Sequence, residues 1–194
     1  DNFHLNTKIV GLLGYPIKQT FSPFIHNLAF QLLELDYIYF PFSVTKSNLK
    51  NAIKSMSTFG IKGFNITIPH KETILNLVND LSEEAGVIGA VNTVVNDLGT
   101  IKGYNTDVNG IYETLFPFQN EIQNNVVTIV GAGGSARAAI FTLIRNFKPS
   151  EINIINRTEQ RAENLKDYFK LKMNYDNFKT FELIQPDLIS IFRN

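Results

Sequence analysis

Residues 126–136 read VVTIVGAGGSA, and this stretch decides what the second half of the chain can form. Its first five residues are all β-branched, which predicts a strand. The glycines that follow predict a tight turn where main-chain amides can approach a phosphate, and the small residues after them begin a helix. A purely structural glycine turn is the alternative, but the strand-turn-helix order is the context that a dinucleotide site requires. We predict that a dinucleotide pyrophosphate is held by Gly131, Ala132, Gly133, Gly134, Ser135 and Ala136, with Ala136 in the place of a third glycine.

The end of the next predicted strand, residues 152–155, indicates which dinucleotide binds. An NAD site has Asp or Glu there to bind the ribose 2′-hydroxyl, whereas this chain continues as NRTEQRA from residue 156. A guanidinium and a hydroxyl suit a 2′-phosphate instead. Thr158 also suits the N-cap of the following helix, with Arg161 on a solvated face, and both roles can hold together. NADP is therefore the predicted cofactor, bound by Asn156, Arg157, Thr158 and Arg161.

Strand-like and helix-like segments alternate along the chain, which predicts an α/β fold with a mostly parallel sheet. Two apolar segments flank the turn signature NDLG and predict an antiparallel hairpin as an addition to that sheet. The predicted strands are residues 9–14, 37–44, 64–68, 90–95, 100–104, 126–130 and 152–155. The predicted helices are residues 23–35, 48–59, 72–78, 107–115 and 159–170, and one from the glycine turn to residue 146.

The polar, proline-containing stretch FPFQNEIQNN at residues 116–125 predicts a domain boundary. We predict an N-terminal substrate-binding α/β domain over residues 1–106 and a linker helix and connection over residues 107–125. Residues 126–194 are predicted to form a Rossmann-type, doubly wound nucleotide-binding domain. Only about 70 residues are available for it, fewer than its six strands need, so we expect an incomplete domain. The tail ELIQPDLISIFRN has room for one further strand.

Composition narrows the classes of partner. The 194 residues carry 18 Lys and Arg against 18 Asp and Glu, so no overall charge favours nucleic acid or an anionic membrane. There is no cysteine, which excludes thiolate catalysis and Cys-bound metals and favours the cytoplasm. The three histidines are scattered, and we expect no metal site. We expect His70 to be a surface or capping residue. The sequence begins without a signal-peptide pattern and has no apolar run of about 18 residues, so we expect no membrane partner.

The stretch GFNITIPHKE at residues 63–72 carries an unusual strand. Phe64, Ile66 and Ile68 point to one face, and Asn65 and Thr67 point to the other. An edge strand with one solvated face is one interpretation. Because ligands bind at the carboxyl ends of parallel strands, a ligand site is the other.

Three further segments place polar side chains beside predicted strands. QTFSPFIHN at residues 19–27 has Thr20 and Ser22 at a helix start, where Ser22 also suits the N-cap and Pro23 the first turn. GAVNTVV at residues 89–95 has Asn92 inside an apolar strand. GYNTDVNG at residues 103–110 has Asp107 where a strand leads into a helix, a position where an acid also complements the helix dipole.

These motifs, in this order and followed by the glycine loop and NRT, resemble the shikimate dehydrogenase family. The family pattern is Ser-x-Ser-Pro-x-x-His-Asn, Asn-Val-Thr-x-Pro-x-Lys, Gly-Ala-x-Asn-Thr and Gly-x-Asn-Thr-Asp. The resemblance extends from Gly11 to about Arg161. Thr20 stands where many members have Ser, which keeps the hydroxyl and adds a methyl group.

The resemblance implies NADP-dependent, reversible reduction of 3-dehydroshikimate to shikimate, a step of the shikimate pathway toward chorismate and the aromatic amino acids. It implies that Lys71 and Asp107 are the catalytic pair. The substrate-binding residues that it implies are Thr20, Ser22, Asn65, Thr67, Lys71, Asn92 and Asp107. The family also takes a Tyr beside the nicotinamide and a substrate-binding Gln from its C-terminal region, and neither can be assigned in this sequence.

Three alternatives remain open at this point. A quinate or dual quinate/shikimate dehydrogenase would show nearly the same motifs. A ligand-binding module with the same fold but no redox chemistry would not need both Lys71 and Asp107. A tetrahydrofolate or amino-acid dehydrogenase fits the architecture but not the hydroxyl-rich motifs. In each case we expect a small-molecule ligand, no nucleic acid, and a monomer or homodimer.

Overall fold

The computed structural model describes residues 4–183, which fall into two compact units that divide between Asn105 and Thr106. The boundary lies beside residue 106, the predicted end of the first domain. Residues 107–125, predicted as a linker, are grouped with the second unit. The three-part division itself stays a prediction. Most of the predicted tail strand lies at residues 184–194, outside the described residues.

The first unit is built on a mixed six-stranded sheet with the order β2-β1-β3-β5-β6-β4. Strands β2, β1 and β3 are parallel, β5 is antiparallel to β3 and β6, and β4 is parallel to β6. The strands are β1 (Lys8–Gly14), β2 (Tyr37–Ser43), β3 (Gly63–Ile66), β4 (Asp80–Leu81), β5 (Thr93–Asp97) and β6 (Thr100–Tyr104). The helices are α1 (Ser22–Leu32), α2 (Leu49–Thr58) and α3 (Glu83–Ile88), with 3₁₀ turns at Lys46–Asn48 and Thr73–Asn76.

The predicted hairpin is confirmed. Asp97 pairs with Thr100 across a two-residue turn, and Leu98 and Gly99 both have positive φ, of 50° and 95°. That backbone matches the twist of the two strands. The prediction began the first strand too early, since β5 starts at Thr93. The reason is that the Val91 N–H donates to the carbonyl of Lys71 rather than extending the hairpin.

Two further differences concern helices. The predicted helix over residues 72–78 is only the 3₁₀ turn Thr73–Asn76, and the β-branched Thr73 and Ile74 disfavour a longer one. Helix α3 was not predicted, although its end signals are visible. The Ser82 hydroxyl accepts from the Ala85 N–H at 3.2 Å, and Gly89 ends the helix at φ 68°.

The apolar face of β3 lies in the core of the first unit, as predicted: Phe64 is 4% exposed and Ile66 is 2% exposed. Ile68 is 74% exposed, so its predicted place on that face is wrong. The strand ends at Ile66, and the His70 N–H then donates to the Thr67 carbonyl and turns the chain. The rest of this core comprises Leu13, Leu49, Ile53, Met56, Ile61, Ile74, Ala85, Val91, Val94 and Ile101.

Up to residue 183, the second unit has three parallel strands in the order β7-β8-β9, as in one half of a doubly wound dinucleotide-binding domain. The strands are β7 (Val126–Val130), β8 (Glu151–Asn156) and β9 (Phe178–Glu182), of which β9 was not predicted. The helices are α4 (Asp107–Leu115), α5 (Gln119–Ile122), α6 (Gly134–Thr142) and α7 (Glu159–Met173), with a 3₁₀ turn at Phe116–Phe118 and a π turn at Leu143–Phe147. The predicted α/β class is confirmed, and so is an incomplete Rossmann-type second domain.

Helix α6, the π turn after it, helix α7 and strand β8 contribute buried side chains to the core of the second unit. The fully buried members include Phe147, Phe169, Ile140, Ile152, Ile154 and Ile155. None of the helices in residues 4–183 combines the length and the apolar character that a membrane span requires.

Substitution of Gly63 in β3 tests how closely the strands of the first unit pack. A Cβ at Gly63 would lie 2.7 Å from the carbonyl oxygen of Val94, a main-chain atom that cannot rotate away. We expect Gly63→Ala to lower the free energy of unfolding by about 1–3 kcal/mol, measured by urea denaturation followed by circular dichroism.

The matched control is Gly86→Ala in α3. An added Cβ there meets no atom within 4 Å, and alanine favours a helix by up to about 1 kcal/mol over glycine. Equal stability of the two variants would contradict the close approach of β3 to β5.

Candidate active site

The polar segments of the first unit converge at one edge of its sheet. Strands β1 and β3 are parallel, with Leu13 opposite Ile66, so their carboxyl ends lie side by side. Strand β5 runs antiparallel to β3 and places Thr93 opposite Asn65. The segments after β1 and β3 and the start of β5 therefore meet at this edge, which we call the polar edge.

The hydroxyls of Thr20 and Ser22 form a pair where α1 begins. Thr20 Oγ1 donates to Ser22 Oγ at 3.2 Å and accepts from the Ser22 N–H, also at 3.2 Å. The interpretation of Ser22 as the N-cap is wrong, because Ser22 is the first helical residue and Phe21 occupies the cap position without a side-chain bond. The Ser22 hydroxyl is thus not used in capping, and both hydroxyls are half-buried.

Asn65 and Asn92 are joined through a residue between them that we had not assigned to the site. Asn65 Nδ2 donates to Thr93 Oγ1 at 3.2 Å, and Thr93 Oγ1 donates to Asn92 Oδ1 at 3.0 Å. Asn92 is 9% exposed, and a buried amide of this kind requires such partners. The structure therefore brings together Asn65 and Asn92, which come from separate motifs.

Tyr39 of β2 is a further member of the polar edge that the sequence did not indicate. Its hydroxyl donates to Asn65 Oδ1 at 2.9 Å. Burial raises the pKa of Tyr39 to about 12, and a hydrogen bond with the Ser22 side chain partly opposes that rise. The phenol is thus a neutral donor at physiological pH. The only local signal was the alternation of YIYFPFS, which does not distinguish a core tyrosine from one in a site.

The main chain around Lys71 is fixed by bonds to two other points in the first unit and by one bond within its own segment. The Val91 N–H donates to the Lys71 carbonyl at 2.8 Å, and the His70 N–H donates to the Thr67 carbonyl at 3.0 Å. His70 Nε2 donates to the carbonyl of Val44 at 2.7 Å. These bonds hold the segment from Thr67 to Lys71 in place, and the Lys71 side chain is half-buried.

His70 itself is fully buried, so its interpretation as a surface or capping residue is wrong. Its ring supplies the donor that the Val44 carbonyl needs just after β2 ends. Thr67 is packed closely as well: a Cβ at Gly14 would lie 2.3 Å from Thr67 Cγ2. Because this contact leaves no room for a side chain at residue 14, β1 ends in a glycine.

Asp107 is the first residue of α4, in the second unit. Its place in the first turn is as predicted, and a carboxylate there is favoured by the helix dipole. Two residues earlier, Asn105 is buried and its Nδ2 donates to the Ala90 carbonyl at 2.9 Å. The polar run before α4 thus includes one amide with a structural role in the first unit.

The glycine loop of the second unit has the features of a pyrophosphate site. Gly131 has φ 115°, which favours glycine, and its N–H donates to the Ile155 carbonyl at 2.7 Å. A Cβ at Gly133 meets no atom within 4 Å, so the space beside this residue is open. The Arg137 N–H donates to the Gly133 carbonyl, which leaves the amides of the first turn of α6 outside the helical bonding. The loop therefore fits a bound pyrophosphate.

The turn after β8 carries the residues predicted to determine the specificity for NADP over NAD. Asn156 Nδ2 donates to the Thr158 carbonyl at 2.8 Å, which shapes the turn. Thr158 occupies the N-cap position of α7, but its side chain makes no capping bond. Arg157, Thr158 and Arg161 are all exposed, and no acid lies at residues 156–158. Two guanidinium groups and a hydroxyl at one turn fit a phosphate monoester.

Acidic and histidine side chains are not clustered in residues 4–183, where no group of three or more His, Cys, Asp or Glu is arranged to hold a metal ion. The polar edge consists of neutral hydroxyls and amides with one lysine. Such a set can bind a hydroxylated acid and donate a proton.

Both parts of the chain match models of known families. Residues 12–94 match the shikimate dehydrogenase substrate binding domain, and residues 114–189 match the shikimate / quinate 5-dehydrogenase family. A curated relative named shikimate dehydrogenase (NADP(+)), from Caldanaerobacter subterraneus subsp. tengcongensis, is 43% identical over 180 residues. That match covers 91% of this chain and 64% of the relative, so the chain spans less than two thirds of its length.

Solved structures show the same family. A crystal structure of shikimate dehydrogenase in complex with NADP+ matches with a TM-score of 0.83 at 38% identity, covering 92% of this chain and 63% of that one. A shikimate 5-dehydrogenase from Listeria monocytogenes in complex with shikimate and NAD has a TM-score of 0.81 at 33% identity, covering 97% and 66%. Since the two family models together span most of the sequence, the chain belongs to the shikimate dehydrogenase family.

Proposed function

We propose that the protein catalyses the NADP-dependent, reversible reduction of 3-dehydroshikimate to shikimate, in the shikimate pathway. The observation that carries this proposal is the polar edge, where Thr20, Ser22, Asn65 and Asn92 converge beside the firmly held segment that bears Lys71. The names of the relatives and the substrate in the Listeria monocytogenes complex support it.

In this proposal the neutral side chains bind and orient the substrate. The hydroxyls of Thr20 and Ser22 hold its carboxylate, because both can turn a proton toward an anion. Asn65, Thr67 and Asn92 hold the ring hydroxyls. Preformed amides and hydroxyls bind a polyol without a large ordering cost, since their partners already fix them.

Lys71 supplies the proton. Reduction forms a C–H bond at the carbonyl carbon and an O–H bond at its oxygen, so a hydride and a proton must both arrive. When bound, NADPH supplies the hydride. The Lys71 ammonium stabilises the developing alkoxide and then protonates it, and in the reverse direction the neutral amine takes the proton back. Asp107 is its partner in the family pattern and also binds substrate.

The second unit holds the cofactor in this proposal. Residues 131–136 bind the pyrophosphate through the open loop at Gly133 and the start of α6. Asn156 and Thr158 shape and line the adenosine end. Arg157, with Arg161, neutralises the 2′-phosphate, which favours NADP over NAD.

The second candidate is a quinate or dual quinate/shikimate dehydrogenase. The family model for the second part of the chain includes both activities, and the Listeria monocytogenes structure contains NAD. A non-catalytic module is disfavoured by the presence of both Lys71 and Asp107. We further propose a cytoplasmic location, which the lack of cysteine supports, and a monomer or homodimer.

An absorbance assay tests the proposed reaction. Purified full-length protein mixed with shikimate and NADP+ should form reduced nicotinamide, with a higher kcat/KM than the combinations with quinate or NAD+. A higher kcat/KM with quinate would establish the second candidate. Binding of shikimate without turnover in any combination would establish the non-catalytic module and refute the enzyme.

Lys71→Ala tests the proton donor. We expect kcat to fall by about 10²–10⁴-fold with little change in the Kd for shikimate, because general acid catalysis is lost while the binding amides remain. Lys62→Ala is the matched control, since Lys62 is an exposed lysine just before β3, and it should behave as wild type. A higher KM at unchanged kcat would show that Lys71 only binds substrate.

Arg157→Ala tests the choice of cofactor. Losing a charged contact to the 2′-phosphate should raise the KM for NADP+ about tenfold or more and leave the KM for NAD+ nearly unchanged. Lys172→Ala removes an exposed cation at the far end of α7 and should change neither constant. An equal effect on both cofactors would contradict a role in 2′-phosphate recognition.

A further inference from the structure

One line of hydrogen bonds runs through the polar edge and includes two residues, Tyr39 and Thr93, that are not among the predicted site residues. In this line each hydroxyl or amide donates to the next member. Its links are the bonds of 2.9–3.2 Å described above. Its members, in order, are Tyr39, Asn65, Thr93 and Asn92.

The neighbours of Tyr39 hold its side chain and its main chain in a fixed position. Its side chain is 3% exposed, and its ring stacks on His26 with centroids 4.2 Å apart and planes at 17°. The side chain of Asn27 binds the Tyr39 main chain twice, accepting from its N–H at 2.8 Å and donating to its carbonyl at 3.1 Å. His26 is held in turn, because its Nδ1 donates to the Ser22 carbonyl at 2.8 Å. The Tyr39 hydroxyl therefore points to a fixed position.

The fixed hydroxyl determines which way the Asn65 amide turns. Asn65 Oδ1 accepts the Tyr39 proton, and one N–H of Asn65 Nδ2 donates to Thr93. Because Thr93 Oγ1 accepts that bond, its own single proton goes to Asn92 Oδ1. Tyr39 and Thr93 thus engage the oxygen of each amide, which fixes the orientation of the Asn65 and Asn92 amides.

We propose that Tyr39 and Thr93 are positioning residues, which hold the Asn65 and Asn92 amides in one orientation for binding the ring hydroxyls of the polyol acid. This inference rests on the proposed function of the polar edge. To that function the inference adds a physical reason why the two amides bind the substrate in one orientation. It also explains the His and Asn of the SPFIHN segment, because both residues support Tyr39 rather than the substrate.

Tyr39→Phe and Thr93→Val remove the two hydroxyls while keeping the side-chain volume nearly unchanged. Each leaves an amide oxygen without its donor, so we expect the Kd and KM for shikimate to rise about tenfold. The KM for NADP+ and kcat should change less than about twofold, because neither residue touches the reacting atoms. Thr93→Ser retains the hydroxyl and should restore the affinity of the wild type.

Tyr37→Phe is the matched control on the same strand. The Tyr37 ring packs against Phe30 and lies beside Lys8, away from the line of hydrogen bonds. The Tyr37→Phe variant should therefore have unchanged values of the Kd and KM for shikimate, the KM for NADP+ and kcat. The double variant Tyr39→Phe/Thr93→Val should lose less affinity than the product of the single effects, because both act on Asn65.

A readout without ligand separates this inference from the proposed function. With ¹⁵N-labelled asparagine, the side-chain NH₂ signals of Asn65, identified by their loss in Asn65→Asp, should shift in Tyr39→Phe and in Thr93→Val but not in Tyr37→Phe. Unshifted signals in both variants, or wild-type affinity for shikimate in both, would overturn the positioning role. If Tyr39→Phe fails to fold, the positioning role is tested by the comparison of Thr93→Val with Thr93→Ser alone. If the wild-type protein binds no shikimate, the proposed function fails while the NMR comparison still decides the positioning.

Discussion

The parallel pairing of β1 with β3 is the constraint on which the polar edge depends. Because Leu13 and Ile66 are partners, the segments that follow the two strands emerge at one edge, and the antiparallel β5 adds Thr93 opposite Asn65. A shift of one residue in this register would turn Asn65 into the core and Phe64 out of it. The buried Phe64 and Ile66 therefore maintain the geometry of the site as well as stability.

Polar side chains in the first unit serve mainly to anchor main-chain groups of distant segments. Asn27 binds the main chain of Tyr39, His70 the carbonyl of Val44, and Asn105 the carbonyl of Ala90. Buried main-chain groups require partners, and these side chains supply them where no strand or helix does. The residues that flank the proposed ligand groups thus keep loops in place, which is how flexible connections can present an ordered site.

The sequence located most of the candidate site but misjudged individual roles. Ser22 was interpreted as an N-cap because serine before proline favours one, yet Thr20 takes the first amide of α1. His70 is expected from the sequence to be a surface or capping residue, but it is buried, with its ring bonded to the carbonyl of Val44. In both cases the deciding partner is set by how the chain folds back, which local propensity does not contain.

Sequence by itself determined the features that arise from residues close together in the chain: the α/β alternation, the turn at Leu98 and Gly99, the first-turn Asp107 and the glycine loop before α6. Each follows from backbone preferences or from the spacing of a motif. Only the tertiary structure decided that Tyr39 belongs to the polar edge, because its partner Asn65 lies 26 residues away along the chain. Contacts at that separation are set by strand order and register, and these emerge only when the sheet is assembled.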